Sequence, residues 1–152
     1  MQEAVLLYLV KGDRVLLGKK KQGFGAGKWN GMGGKMKYGE EPKDAALRET
    51  WEECGINVRE FRKMGELRFL FPLKPQWNQN VHVFVSGKWD GEPMESDEVK
   101  PRWFYIDELP FDEMWQNDPH WLPKILKGET VKATFIFGSD NEKIESMKFG
   151  TY

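Results

Sequence analysis

The stretch that decides the reading of this chain runs Gly34-Lys35-Met36-Lys37-Tyr38-Gly39-Glu40-Glu41-Pro42-Lys43-Asp44-Ala45-Ala46-Leu47-Arg48-Glu49-Thr50-Trp51-Glu52-Glu53-Cys54-Gly55-Ile56. Glu49, Glu52 and Glu53 stand at i, i+3 and i+4. On a helix that spacing puts three carboxylates on one face, one turn apart. Like charges that close repel and weaken a bare helix, so such a cluster is most easily kept where a cation binds it. Hard divalent ions that prefer oxygen ligands, Mg²⁺ or Mn²⁺, fit best. The plain alternative is a solvated acidic helix face with one internal ion pair.

Local signals around the carboxylates spell loop, helix, stop. Gly31, Gly33, Gly34 and Gly39 loosen the approach. Pro42 suits the first helical turn, where a missing N–H costs nothing. Ala45, Ala46 and Leu47 are good helix formers, and Gly55 is a natural residue just past a helix end. These features predict a helix over Pro42–Cys54. Arg48, four residues before Glu52, can pair with it and hold it in place.

A chain of 152 residues is expected to form a single domain over 1–152 with a real core. A hydrophobic fraction of 39% and a charged fraction of 31% are ordinary for a soluble globular protein. The net charge of −1 provides no basic field for a nucleic-acid polymer or a membrane surface. No apolar run approaches spanning length, and the N-terminus opens as a strand without a leader, so a cytoplasmic protein is expected; a monomer is expected, although nothing in the residues fixes the oligomeric state. Cys54 is the single cysteine and is read as inert helix packing. Seven Trp is a high number for such a domain and suggests that some line a pocket for a flat ligand.

Outside the helix, Ala4–Val10 and Val15–Gly18 read as strands joined at Lys11-Gly12-Asp13. Lys19–Gly34 reads as a basic, glycine-rich loop. Strand patterns follow near Lys63–Phe71, Asn80–Trp89 and Trp103–Ile106. Asp107–Pro119 reads as loop, a second helix runs from Pro119 to before Gly128, and Val131–Phe137 with Lys143–Phe149 forms a hairpin. Strands with two interspersed helices imply one mixed sheet between helices.

Gly34, Glu40, Arg48-Glu49, Glu52-Glu53 and Gly55-Ile56 together resemble the Nudix box, Gly-x5-Glu-x7-Arg-Glu-U-x-Glu-Glu-x-Gly-U, with U a bulky apolar residue. Thr50 alone departs, standing at an apolar position. The resemblance implies an α/β; Nudix-type α/β/α sandwich with a central mixed β-sheet, and Mg²⁺-dependent hydrolysis of a nucleoside diphosphate linked to another group. Glu52 and Glu53 are the leading metal ligands, with Glu49 a further ligand or the water-activating base. The family pattern also implies the Gly33 carbonyl and a later acid, for which Glu98 is the candidate.

A second likeness covers about Val5 to Phe137. Gly23-Phe24-Gly25-Ala26-Gly27-Lys28-Trp29-Asn30-Gly31, Val81-His82-Val83-Phe84, Glu95-Ser96-Asp97-Glu98 and Met114-Trp115 resemble the hydrolases of oxidised purine nucleoside triphosphates. That subgroup implies a base pocket of Asn30, Trp115, Asn117 and Asp118, with Phe69 and Phe137 and, as a further candidate, Phe71. Lys20 would meet the phosphates and Phe24 would form a wall. Asp118 reads equally as the N-cap of the second helix, and Asn30 as a turn residue. The subgroup pattern has two adjacent acids where this chain has Asn117-Asp118. An Asn cannot change protonation state, so a preference for 8-oxo-dGTP with less activity on 2-oxo-dATP is expected. Gln79 replaces an apolar residue, and the segment around Pro72–Asn80 differs in length. The box alone does not separate this substrate from ADP-ribose, a dinucleoside polyphosphate or an alkylated nucleotide. A non-catalytic binding module would be expected to lose box acids, and all are present.

Overall fold

Strand β1 (Gln2–Lys11) organises the molecule, a computed structural model that describes residues 1–150. From Gln2 to Leu9 it pairs in parallel with β6 (Gln79–Asp90), and from Ala4 to Leu7 antiparallel with β4 (Met32–Lys35). Its last residues turn at Gly12, with φ of +61°, into β2 (Arg14–Lys20). β2 in turn pairs with β3 (Trp29–Asn30) and β7 (Val99–Tyr105). Beyond β6 lie β5 (Asn57–Leu70), β8 (Val131–Phe137) and β9 (Ile144–Phe149), in the order β1-β6-β5-β8-β9. The β5–β8 pair is parallel, so the sheet is mixed.

Alternation along β1 builds two cores. Ala4, Leu6 and Tyr8 face α2 (Asp118–Leu126) with its Trp121, Leu122 and Ile125. Val5, Leu7 and Leu9 face α1 (Pro42–Cys54) with its Ala45, Ala46 and Cys54. The helices therefore cover opposite faces, giving the α/β/α layering. Burying each Leu or Val of these cores stabilises the fold by about 1.5–3 kcal/mol. Among the described residues no helix is long and apolar enough to cross a membrane.

Helix α1 begins at Pro42 and ends at Cys54, as its local signals predict. Gly55 adopts φ of +72° and returns its N–H to the Trp51 carbonyl. Thr50 is fully buried, and its hydroxyl donates to the Ala46 carbonyl at 2.8 Å. Self-satisfied in this way, it packs where an apolar side chain is usual.

The region expected to be loop from Lys19 to Gly34 is instead partly sheet. β2 continues to Lys20, and β3 and β4 pair with β2 and β1. Gly23, Gly25 and Gly27 take positive φ in the turn between β2 and β3, whereas Gly31 and Gly33 reflect close packing. A Cβ on Gly33 would lie 1.9 Å from the Val5 carbonyl oxygen, and one on Gly31 would lie 2.8 Å from the Tyr8 ring. Similarly β5 and β7 extend well before the predicted starts at Lys63 and Trp103, because partner strands recruit residues of weak strand character.

Candidate active site

The carboxylates of α1 lie on the face turned toward β4, but they do not share one environment. Glu53 is 8% exposed, and its Oε1 accepts the Gly33 backbone N–H at 2.8 Å. Glu49 is partly buried beside Gly34, where a Cβ would come within 3.0 Å of its carboxylate. Glu52 is 47% exposed. Arg48 donates to Glu49 at 2.7 Å and to Glu52 at 3.2 Å. Its firmest hold is on Glu40, by two bonds of 2.8 and 2.9 Å. The predicted Arg48–Glu52 pair is thus the minor part of a network centred on Arg48, with Glu40 its main partner. With Arg48 beside it and the Lys37 N–H bound, the Glu40 carboxyl falls to about 2.

The electrostatics run the other way at the inner acids. Burial pushes Glu53 up to about 8, the Gly33 hydrogen bond opposes that rise, and the charges of Glu49 and Glu98 add to it. Burial raises Glu49 too, against Arg48 and with the help of Glu52 and Glu98. Glu98 is exposed on the loop before β7, yet near enough to press on both. Among the described residues no three His, Cys, Asp or Glu side chains converge at ligating distance. The donor set nevertheless fits a hard cation: buried carboxylate oxygens that raise one another's proton affinity are stabilised by a divalent charge. The Gly33 N–H is committed to Glu53, which holds that carboxylate on the cavity side of the helix.

One cavity of about 500 Å³ begins at Gly33, Gly34 and Glu53 and continues between the sheet and the start of α2. It is lined by Lys20, Phe24, Asn30, Phe69, Phe71, Trp115, Asn117, Asp118 and Phe137. Every expected base-pocket residue therefore stands on the same wall system as Glu53. Phe71 and Phe137 stack at 4.6 Å and are also buried core, so they serve packing and lining together.

Asp118 opens α2 without capping it. Asn117 occupies the cap position and makes no side-chain cap bond. Asp118 is 2% exposed, and its Oδ1 accepts the Asn117 amide at 3.2 Å. Its Oδ2 has no hydrogen-bond partner, nor does the indole N–H of Trp121, which also lines the cavity. Burial lifts Asp118 to about 7, against weaker opposing pulls from the Trp115 backbone, the nearby Trp121 indole and Lys28. The Trp121 pull acts across a separation that falls outside hydrogen-bond geometry. Asn30 is likewise not a simple turn residue. Its Oδ1 accepts from the Tyr8 hydroxyl at 3.2 Å and from the Gly31 N–H at 2.9 Å, leaving its NH₂ as a donor.

Three contributors escape a sequence reading. Tyr8 orients Asn30 from within the otherwise aliphatic run Ala4–Val10, and that lone hydroxyl is its sequence hint. Lys28 lies 5.1 Å from the Trp115 ring centre and lines the cavity. Trp77 lines it too, from the loop between β5 and β6. Cys54 matches its expected inertness: it is buried, its thiol is pushed up to about 11 by burial, and it donates weakly to the Thr50 carbonyl.

A carboxylate helix against a mixed sheet, with an adjoining aromatic cavity, defines a phosphate-chemistry protein of the Nudix class. A profile of the NUDIX domain matches residues 1–125. The chain is 44% identical over 140 residues to an oxidized purine nucleoside triphosphate hydrolase of Danio rerio, covering 92% of this chain and 89% of that protein. It is 42% identical over 132 residues to the protein of the same name from Mus musculus, covering 87% and 84%. A MutT protein of Bacillus halodurans superposes with a TM-score of 0.82 at 26% identity, covering 98% and 97%. The chain belongs to the Nudix hydrolase family, whose members generally depend on a divalent metal.

Proposed function

We propose that this protein hydrolyses oxidised purine nucleoside triphosphates, chiefly 8-oxo-dGTP, to the monophosphate and pyrophosphate, with Mg²⁺ as the working ion and Mn²⁺ as a substitute. The single observation that carries the reading is the continuity of one cavity from Glu53 to the Asn117-Asp118 pair. The names of the Danio rerio and Mus musculus relatives support it.

The base end supplies recognition. Guanine presents N7 as an acceptor, whereas 8-oxoguanine presents N7–H as a donor. Asp118 Oδ2, buried without a partner, is an acceptor for that proton once the carboxyl is ionised, above about pH 7. Undamaged guanine would leave it unpaired, a cost large enough to discriminate strongly. Trp115 offers a ring face, and the Asn30 NH₂ offers a donor to a carbonyl of the base.

The phosphate end supplies charge. Lys20 meets phosphate oxygens at the cavity edge. A divalent ion on Glu49, Glu52 and Glu53, with Glu98 and the Gly33 carbonyl, would neutralise phosphoryl charge and activate water. Arg48, itself anchored by Glu40, fixes the Glu49 and Glu52 carboxylates. Gly33 fixes Glu53 from the opposite side. In the alternative role, Glu49 would leave the ion to the other acids and take a proton from the attacking water. Residues 1–152 would act as one domain, alone, on a small nucleotide.

A panel of nucleoside triphosphates incubated with Mg²⁺, scored for monophosphate and pyrophosphate, tests the proposal. Turnover of 8-oxo-dGTP well above dGTP, ADP-ribose and dinucleoside polyphosphates is expected. Equal turnover of dGTP, or release of orthophosphate in place of pyrophosphate, would overturn it.

A further inference from the structure

Phe24 lines the cavity although it is 58% exposed, so it stands at the mouth. Its ring lies 5.1 Å from Trp115 and 5.8 Å from Trp77, centre to centre. The two indoles come from different segments, one just before α2 and one between β5 and β6. Phe24 spans them. Trp77 also meets Phe71 edge-on at 5.7 Å, tying the mouth to the cavity floor.

Trp77 is held firmly for a loop residue. It ends a 3₁₀ turn, Pro75–Trp77, in which Pro75 fixes its own φ. Its N–H donates to the Lys74 carbonyl at 2.9 Å. The next residue anchors the turn on both sides: Asn78 Oδ1 accepts the Phe71 N–H at 2.7 Å, and its carbonyl accepts the Gln2 N–H at 3.0 Å. Phe71 and Gln2 both line the cavity. Lys74 sits 4.3 Å over the Trp77 ring, as Lys28 sits over Trp115. Each indole therefore carries an ammonium group, and the mouth is both aromatic and positive. That combination suits a flat base on a polyanion.

We propose that Trp77 is a base-positioning residue, which with Phe24 forms an aromatic clasp over the purine at the mouth of the cavity. The inference rests on the reading above that the occupant is a purine nucleotide. A contact made to the base alone strengthens ground state and transition state equally, so its loss appears in KM and not in kcat.

The test compares wild type with Trp77→Ala, Trp77→Leu and Trp77→Phe. Leu keeps apolar bulk against Phe71 without an aromatic face, and Phe keeps a ring. Each is measured for KM and kcat on 8-oxo-dGTP, for the Kd of 8-oxo-dGMP, and for inhibition by pyrophosphate, which lacks a base. Ala and Leu are expected to raise KM and the monophosphate Kd about tenfold, leaving kcat within about twofold and pyrophosphate inhibition unchanged. Phe should recover most of the affinity. An unchanged monophosphate Kd in both Ala and Leu overturns the inference, and so does a matching loss of pyrophosphate affinity. Wild-type turnover of 8-oxo-dGTP scores the functional reading separately.

Discussion

The Gly33 backbone N–H and the Glu53 carboxylate, from β4 and the last turn of α1, are joined by a 2.8 Å hydrogen bond. The bond ties the innermost acid of the helix to the strand that forms the cavity floor. It explains why burial does not simply evict this carboxylate. It also explains why Gly33 admits no side chain, since the strand must run against Val5 to reach Glu53.

Replacing Glu53 by Gln should abolish most turnover while preserving the fold. Gln keeps an oxygen for the Gly33 N–H and removes a charge that burial opposes. A fall in kcat of about 10²–10³-fold is expected, on the scale seen when one charge-stabilising group is lost. The metal-free Tm at pH 8 should stay level or rise, because the carboxyl raised to about 8 no longer has to ionise in the fold. Near wild-type rates would remove Glu53 from the site.

Asp118 should write a pH signature into stability. Its folded value of about 7 lies above its ordinary 3.8. Between those values the unfolded chain ionises this group while the folded chain keeps its proton. The folded state then binds more protons, so this group's contribution to stability falls as pH rises from about 4 to about 7 and levels off above. Asp118→Asn should therefore gain on wild type as pH rises, by on the order of 3 kcal/mol at pH 8 relative to pH 4. Urea titrations at the two pH values check it, and an equal difference at both would contradict the assignment.

Asn117→Asp should widen the substrate range. In the native pair the Asn117 amide donates to Asp118 Oδ1, a fixed arrangement. Two acids in its place share a proton and can present either pattern to a base. The ratio of kcat/KM for 2-oxo-dATP over 8-oxo-dGTP should rise about tenfold, since one recovered hydrogen bond is worth about 1.4 kcal/mol. A ratio that stays put would show that breadth is set elsewhere in the pocket.

The two adjacent glycines should fail differently when changed to Ala. At Gly33 the new Cβ meets backbone at 1.9 Å, so Gly33→Ala should prevent stable folding. At Gly34 its three nearest neighbours are the atoms of the Glu49 carboxylate, at 3.0 Å. Gly34→Ala should fold but misplace Glu49, lowering kcat about 10–100-fold, the usual range for disturbing a metal-site support. Circular dichroism and steady-state kinetics on both proteins distinguish the two outcomes. If Gly34→Ala kept full activity, Glu49 would not need its present position.

Much of this protein was legible before folding because its chemistry is local in the chain. The α1 helix from Pro42 to Cys54, its stop at Gly55 and the i, i+3, i+4 carboxylates follow from neighbours within a few residues. Thr50, the one departure from the box, was also harmless for a local reason, a hydroxyl bonded one turn back. Arg48 was less legible. The nearest helical partner, Glu52, was the obvious choice, but Glu40 lies outside the helix and only the returning loop brings it to the guanidinium.

The residues by themselves determined the carboxylate helix, because helical periodicity alone brings Glu49, Glu52 and Glu53 together; the phosphate chemistry is what the resemblance to the Nudix box implies. Only the tertiary structure decided that Glu53 is buried, that Tyr8 sets Asn30, that Asp118 faces the cavity instead of capping its helix, and that Trp77 joins Phe24 at the mouth. The reason is sequence distance. These partners come from β1, the β2–β3 loop, the β5–β6 loop and the start of α2, and strand pairing across the whole sheet is what brings them within contact.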